Sequence, residues 1–570
     1  MKHAFYLVTI LVLIPVHGIL AQTAGDFRSA ATGNWSSAAT WETYNGTEWE
    51  AASISPTSAD GSISIQSGHV VTVTADVTVD QLTVNTGGTV LVNSGVKLTV
   101  ADGTGTDIAV SGTLTVNGTV RLDGTAVTFT TTNGTVSYGA GSRHEHATNN
   151  NNVPKTAGSG SVTWHPTSTI EVTGIIGGSV TSMFLAGTTY GNIIWNSPGM
   201  TASNVNFAGN LTNIAGYFRM VSSGATPTIV RFFGSGQTNQ TVNLAGDFIL
   251  EGGSFQYCGG TSTGCAFNIG GNWNQTGGTY AANTGSTNML LMNFTGVNKS
   301  FTQSGGAITN TNLEWTVKNG ASTTLNNNIV VGTGRAFNVE GGGTLNCGTA
   351  VITGPTFTLN AAGTLGIGSP DGITSAGAAG NIQTTARNFD VAANYTYNGS
   401  AAQVMGTGLP ATVNNLTINN ANGVTLSAST AVDGTLSLMS GDLDLNGNDV
   451  SLGTSGILSE TPGNTVKGTS GVITASRSLN APDVLTNIAG LGIGIGSLAD
   501  LGTTAITRGH AVQTGNGNSS IRRYFDITPA NNTGLNATFG MMYDVSELNS
   551  IPESNLTLFK SVDNGVTWTG

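Results

Sequence analysis

The sequence predicts an all-β fold, a right-handed parallel β-helix, and three observations carry that expectation. Short apolar alternations recur between Gly, Asn and Ser turns across residues 397–453. There Leu416-Thr417-Ile418, Val424-Thr425-Leu426 and Leu436-Ser437-Leu438 each set two side chains on one face of a short strand. The same grammar returns at Val70 to Leu122 and at Gly343 to Ile367, with three such strands in roughly 20 residues, the scale of one coil in a repeat architecture. Charged residues make up only 8% of the chain, against about 25% in ordinary globular proteins, which leaves little material for long amphipathic helices. Thr, Ser and Asn must keep the surface wet instead, and they suit strands and turns.

The elements follow in order. Residues 1–21 read as a cleaved secretory signal peptide: Lys2 supplies the positive start, Ala4 to Val16 are apolar but too short to span a bilayer, and Ala21 is a small residue at the cleavage point. This places the protein outside the cell, secreted or on the cell surface. No later apolar run reaches the roughly 18 residues of a transmembrane segment. Residues 22–60 carry Trp35, Trp41 and Trp49 at spacings that fit neither a helix face nor a strand face. They are expected to form an N-terminal cap over the first rung, with an aromatic platform for sugar rings as the functional alternative.

Residues 61–138 form the cleanest ladder, in which Val71/Val73, Val77/Val79, Leu82/Val84, Val90/Val92 and Leu98/Val100 pair on one face. Residues 139–342 are an irregular solenoid interrupted by loops, among them the Asn149 to Asn152 run before Pro154. Regular solenoid resumes over 343–470. A connector is expected at 471–515 and a small antiparallel β domain at 516–570. That domain stops in mid-pattern after Val566-Thr567-Trp568, so the chain is expected to continue beyond Gly570.

With 18 basic against 30 acidic residues, the formal net charge of −12 gives no footprint for nucleic acid. Three cysteines are too few for a disulfide framework. Cys258 and Cys265 bracket a Gly-rich turn and are candidates for one small bridge, with two inert thiols as the alternative. Cys347 reads as a buried small hydrophobe. Gly260-Thr261-Ser262-Thr263-Gly264 matches the Gly-x-Ser-x-Gly nucleophile elbow weakly, because the elbow needs a strand before it and a helix after it and neither is visible in the sequence.

His144-Glu145-His146 is the densest group of metal-type ligands. Its histidines share one face of an extended segment, with His165 as the nearest third donor; solvated loop histidines are the plainer expectation. Asp442-Leu443-Asp444-Leu445-Asn446-Gly447 resembles the start of a calcium loop, with Asp442, Asp444 and Asn446 as ligands, but Gly453 stands where such a loop needs a glutamate. The competing account makes Leu443 and Leu445 core residues and the aspartates strand-surface residues. No other cofactor is expected, and no catalytic residue is assigned.

Taken end to end, NWSSAATWE, SIQSGHVVTV, HEHATNNNNVP, STIEVTGI, GNIIWN, FTLNAAGTLGIGSPDGI, YNGSAAQVMGTGLPATVNNLTINNANGVTL and TRGH with SSIRRYFDITP occur in an order that resembles the large secreted surface proteins of Bacteroidetes-type bacteria. Many of these are adhesin-like and exported by the type IX system. The resemblance spans about two thirds of the chain and implies an extracellular β scaffold at the cell surface; the C-terminal sorting domain of that family is missing from this sequence.

The functional expectation is therefore a non-catalytic structural or adhesin-like protein that attaches to an unknown surface ligand, a glycan or a matrix protein. The alternative is a carbohydrate-binding or polysaccharide-degrading β-helix. An enzyme of that kind should show at least two acidic side chains facing an aromatic-lined cleft.

Overall fold

The computed structural model describes residues 22–150, 153–155, 159–177, 180–201, 204–225, 228–281, 289–309, 311–482, 485–515 and 517–570. The expected signal peptide lies outside them, as do Asn151 and Asn152 of the asparagine loop. The fold is a parallel β-solenoid, as expected. Helix among the described residues is confined to single 3-10 turns such as Ala38–Thr40 and Val545–Glu547. No helix there is long and apolar enough to cross a membrane. The chain divides into two compact units, the first ending at Thr169 and the second running from Ile170 to Gly570.

In the first unit, three parallel ladders wrap one narrow core. Ile63–Ile65, Leu82–Val84, Ile108–Val110 and Phe129–Thr130 stack on one face. Val70–Val73, Thr89–Val92, Thr113–Val116, Thr135–Tyr138 and Ser161–Trp164 form the second. Val77–Val79, Lys97–Ala101, Thr119–Gly124 and Arg143–Thr148 form the third. Each strand alternates, so Val71/Val73, Val90/Val92, Leu98/Val100 and Val120/Leu122 are buried while their neighbours face water.

The start of this unit is closed by a hairpin. Phe27–Ser29 pairs in parallel with Ile63–Ile65 and antiparallel with Trp41–Tyr44, which pairs in turn with Trp49–Ala51. Trp35 and Trp41 are buried and meet edge to face at 4.8 Å. Their indole N–H groups donate to the Pro56 and Trp35 carbonyls at 3.0 and 2.7 Å. The two rings thus cover the apolar end of the stack and leave no face for a sugar. Trp49 stands outside them, with the Arg28 guanidinium 4.4 Å above its ring.

In the second unit one ladder runs from Asn192–Asn196 and Phe218–Ser222 to Thr435–Ser440 and Ile457–Glu460. A second runs from Thr189–Tyr190 through Asn213–Ile214, Thr241–Leu244, Cys265–Ile269 and Leu290–Phe294 to Ile382–Phe389. The irregular stretch has a physical cause in coil size. Its coils take about 25 residues or more, and Phe218, Phe232, Phe248, Phe255, Phe267, Trp273, Tyr280 and Trp315 fill the wider core. Past Asn394 the coils tighten and the core column becomes Tyr395, Leu416, Leu436 and Leu458 in strict register.

The antiparallel region begins earlier than residue 516. Val472–Leu479 pairs in parallel with Val450–Ser451, and also antiparallel with Gly502–Gly509, which pairs antiparallel with Tyr524–Pro529. The segment expected to be a connector therefore supplies the strands that close the stack.

A buried ionic network fixes this closure. Arg508, with no exposed side-chain surface, donates from both terminal nitrogens to Glu460 at 2.8 and 2.8 Å. Arg523 holds Glu547 at 2.9 and 2.7 Å and lies 3.6 Å from Glu460. Burial alone would raise the Glu547 carboxyl, yet His510 and the two arginines hold it below its ordinary value. Breaking one partner of such a buried network typically costs 3–5 kcal/mol, because a desolvated charge is left behind. Glu547→Gln is accordingly expected to destabilise the closure by about 3 kcal/mol. Amide exchange should speed up across residues 502–529 and stay unchanged at Leu416 and Leu436.

Candidate functional site

The scattered carboxylates have structural work. Asp76 accepts the Lys97 N–H at 2.8 Å, Asp102 those of Thr125 and Ala126, Asp107 that of Thr128, Asp247 that of Asn272 and Asp449 that of Val472. Each bond joins a residue to one on the next coil, where a turn leaves a backbone donor without a strand partner. Carboxylates also converge at Asp80, whose acid is pushed up by burial, with Asp107 and Asp60 adding like charge. Asp107, for its part, spends both oxygens on Gly103 and Thr128.

The calcium-like segment lies in the ladder. Leu443 and Leu445 are fully buried, whereas Asp442 and Asp444 are half-buried on the outer side. Asp442 accepts the Thr465 N–H and the Lys467 ammonium, each at 2.9 Å, and Asp444 accepts the Asn446 N–H at 2.9 Å in a tight turn. Among the described residues no group of three or more His, Cys, Asp and Glu side chains is placed to hold a metal ion.

His144 and His146 do share a face, but it is the core face. Arg143–Thr148 continues the column of Val120 and Leu122, and both imidazoles are fully buried. The Tyr138 hydroxyl lies 3.0 Å from His144 Nδ1, Trp164 stacks on Tyr138 at 4.0 Å, and His146 Nε2 meets the Asn150 carbonyl at 2.9 Å. Glu145 points the other way, to Lys97, Arg121 and Arg143 at 3.1, 3.3 and 3.3 Å. His165 is exposed in a turn with Thr167, so the structure does not bring it to the pair.

Cys258 and Cys265, both fully buried, are joined by a disulfide with Cα atoms 6.6 Å apart. Cys347 is buried, and burial pushes its thiol up to about 12. Ser262 is also buried, its hydroxyl turned to the Gly259 and Gly234 carbonyls at 2.6 and 3.1 Å. That oxygen serves the turn and faces no cleft.

Sequence reasoning missed the most regular surface feature, a column of asparagines on the second unit. Asn243 Nδ2 donates to Asn213 Oδ1 at 3.2 Å, Asn268 to Asn243 at 2.8 Å and Asn293 to Asn268 at 2.8 Å. Strand register continues the column through Thr316, Asn338, Thr358 and Asn388. Beside it the chain turns a tight corner at Ala215-Gly216, Ala245-Gly246, Gly270-Gly271 and Thr295-Gly296.

These corners stack so closely that a Cβ on Gly246 would stand 2.5 Å from the Gly216 carbonyl oxygen, and one on Gly271 would stand 2.2 Å from the Gly246 carbonyl carbon. Glycine is the only residue that fits. The result is a shallow groove of about 500 Å³, lined by Thr189, Asn213, Ala215, Asn243, Ala245 and Asn268 among others, with no charged side chain. The signal was in the sequence as NIAG, NLAG, NIGG and NFTG at 213, 243, 268 and 293.

Two measurements check these assignments. Calcium chelation is expected to leave the melting midpoint unchanged, because Thr465 and Lys467 already hold the Asp442 carboxylate; a lowered midpoint would restore a calcium site there. The histidine pair makes the first unit acid-labile. Burial, with the neighbouring His146, drives His144 well below its ordinary value, and burial lowers His146 to about 4. The unfolded chain takes up these protons near pH 6.5, whereas in the folded one His146 resists until about pH 4 and His144 likewise stays neutral well below its ordinary value. Stability is thus complete above about 6.5 and is lost as pH falls through the folded values. For His146 the full loss is roughly 3 kcal/mol. Urea midpoints should fall between about pH 7 and about pH 4.5 in the native protein and stay nearly level in a His144→Leu/His146→Leu variant.

No known family model, curated protein or solved structure matches this chain.

Proposed function

We propose that this is a secreted or cell-surface, adhesin-like structural protein that catalyses no reaction and presents β-solenoid flanks for attachment to a glycan or matrix protein. The observation that carries this reading is the column of Asn and Thr side chains on the second unit, uncharged and in coil register. The carboxylates that a hydrolase would need are largely engaged as acceptors for turn amides. The signal-like N-terminus and the ordered resemblance to Bacteroidetes surface proteins support display outside the cell, with type IX export as the route.

A second reading, hydrolysis of a polysaccharide along the flank of the first unit, rests on Asp80. Its acid is raised beside Asp107, the pattern of a general acid next to a second carboxylate.

One experiment separates the two. Surfaces coated with matrix proteins and polysaccharides are exposed to the purified protein, and cells deleted for it are scored for attachment. Retention on at least one surface, reduced attachment of the deleted cells and no release of reducing ends are expected. Retention on none of the surfaces, with unchanged attachment of the deleted cells, would remove the adhesive reading. Sugar release that disappears in Asp80→Asn would establish the hydrolytic one.

A further inference from the structure

The corner groove beside the asparagine column has the chemistry of a specific ligand class, and we infer that it binds a neutral, extended glycan running parallel to the coil stack. The inference rests on the attachment reading above and gives its contact surface a ligand.

Three properties of the groove select that occupant. Its floor is apolar and shallow, built from Ala215, Ala245 and the Gly270 backbone, with Ile214 and Leu244 behind them. Such a floor fits the carbon-bound hydrogens of a pyranose face. Its rim is a row of carboxamides: Asn243 and Asn268 each use one N–H and one oxygen lone pair within the column, and Asn213 accepts from Asn243 while giving one N–H to Thr212. That leaves a second N–H and a second lone pair on the exposed Asn243 and the half-exposed Asn213 and Asn268. A paired donor and acceptor suits a sugar hydroxyl, which is itself both. The rim also repeats at the coil spacing of about 4.8 Å, close to the advance of one pyranose in an extended β-linked chain; alternate sugars of a β-1,4 chain are turned over, so every second sugar returns to the same orientation two coils on.

Other polymers fit less well. The lining carries no charge, so nothing compensates an anionic chain on a protein of formal charge −12. An added peptide strand would need free backbone groups. At this corner they are already used coil to coil, as Ala245 N–H to Ile214, Gly246 to Gly216, Gly270 to Leu244 and Gly271 to Gly246. A strand also repeats every two residues at about 6.7 Å, out of step with the column.

The test uses the whole protein and a length series of neutral β-1,4-linked glucan oligosaccharides, with a polyuronate and an extended uncharged peptide as comparison probes. Affinity for the neutral series should rise with length until the chain spans the corner from Thr189 to Thr295 and then level off. Ala245→Trp, which fills the floor from an exposed position, should weaken binding by roughly tenfold or more. Asn243→Asp should weaken it as well, while Thr417→Trp on another ladder should leave it unchanged.

Binding that prefers the polyuronate or the peptide, or that ignores Ala245→Trp, would overturn the inference, as would a neutral series that fails to bind. The two readings fail separately. If Ala245→Trp abolishes glycan binding and attachment persists, the groove stands as a glycan site and attachment uses another surface. If attachment needs the protein but no neutral glycan binds, the groove inference falls and the adhesive reading remains.

Discussion

The stacking distance between coils governs everything else in this molecule. Parallel strands lie about 4.8 Å apart, so each residue is packed against the residue in the same position one coil away. A side chain at a given position must therefore tolerate a near copy of itself. Leu and Val do, which gives core columns such as Leu416 and Leu436. Asparagine does better, since its amide is both donor and acceptor and the column bonds to itself. Lysine or glutamate does worse: like charges at that distance repel by about 1 kcal/mol even in water. The scarcity of charge in the composition is thus a consequence of the fold. The exception supports the rule, because Lys97, Arg121 and Arg143 gather on neighbouring coils only where Glu145 stands among them.

This constraint decides what could be read from sequence. Val71/Val73 and Leu436/Leu438 were legible because alternation at two residues and turns at fixed spacing both point to the same rung. The stretch from Asn192 to Trp315 was less so, since coils of varying length break the period and aromatic side chains replace the aliphatic signature. Alternation also names which residues share a face without naming which face is inside. In Arg143-His144-Glu145-His146 the charged pair takes the solvent, so the histidines turn inward and a metal-like motif becomes core. The calcium-like segment follows the same alternation, with its leucines in the column and its aspartates accepting turn amides. The early start of the antiparallel region was hidden because Val472–Leu479 serves both as the last rung and as the first antiparallel strand.

The histidine pair and the closing ionic network interrupt the apolar core, and a stack of similar rungs offers a reason. When neighbouring coils look alike, a slip by one coil costs few contacts, and apolar burial alone specifies the register weakly. A polar cluster that is satisfied in a single arrangement penalises every slip. Glu460 meets Arg508 and Arg523 only if the strand Ile457–Glu460 is the rung that receives the antiparallel segment. In the first unit, Tyr138, His144 and Trp164 interlock in one geometry, so a shifted pairing would lose the Tyr138 hydroxyl bond to His144 Nδ1 and leave that nitrogen, like the already unpartnered Nε2, buried against a Val or Leu column. Buried polar groups add little net stability as such, and their worth here lies in making one stacking order better than its neighbours.

Repetition also bears on how such a surface binds. A groove built from near-identical corners has no single deep pocket, so each coil contributes a small contact. A rigid ligand whose repeat matches the coil gains those contacts together, because once one unit is seated the next is held beside its partner at high effective concentration. A ligand with another repeat drifts out of register after one or two coils and gains nothing from the rest. Under the proposed glycan binding, selectivity on this surface would be set by period and charge more than by any one side chain. For the same reason the glycines that hold the corners at their minimum spacing, Gly246 and Gly271, would matter to such binding without touching a ligand, because they keep the period constant.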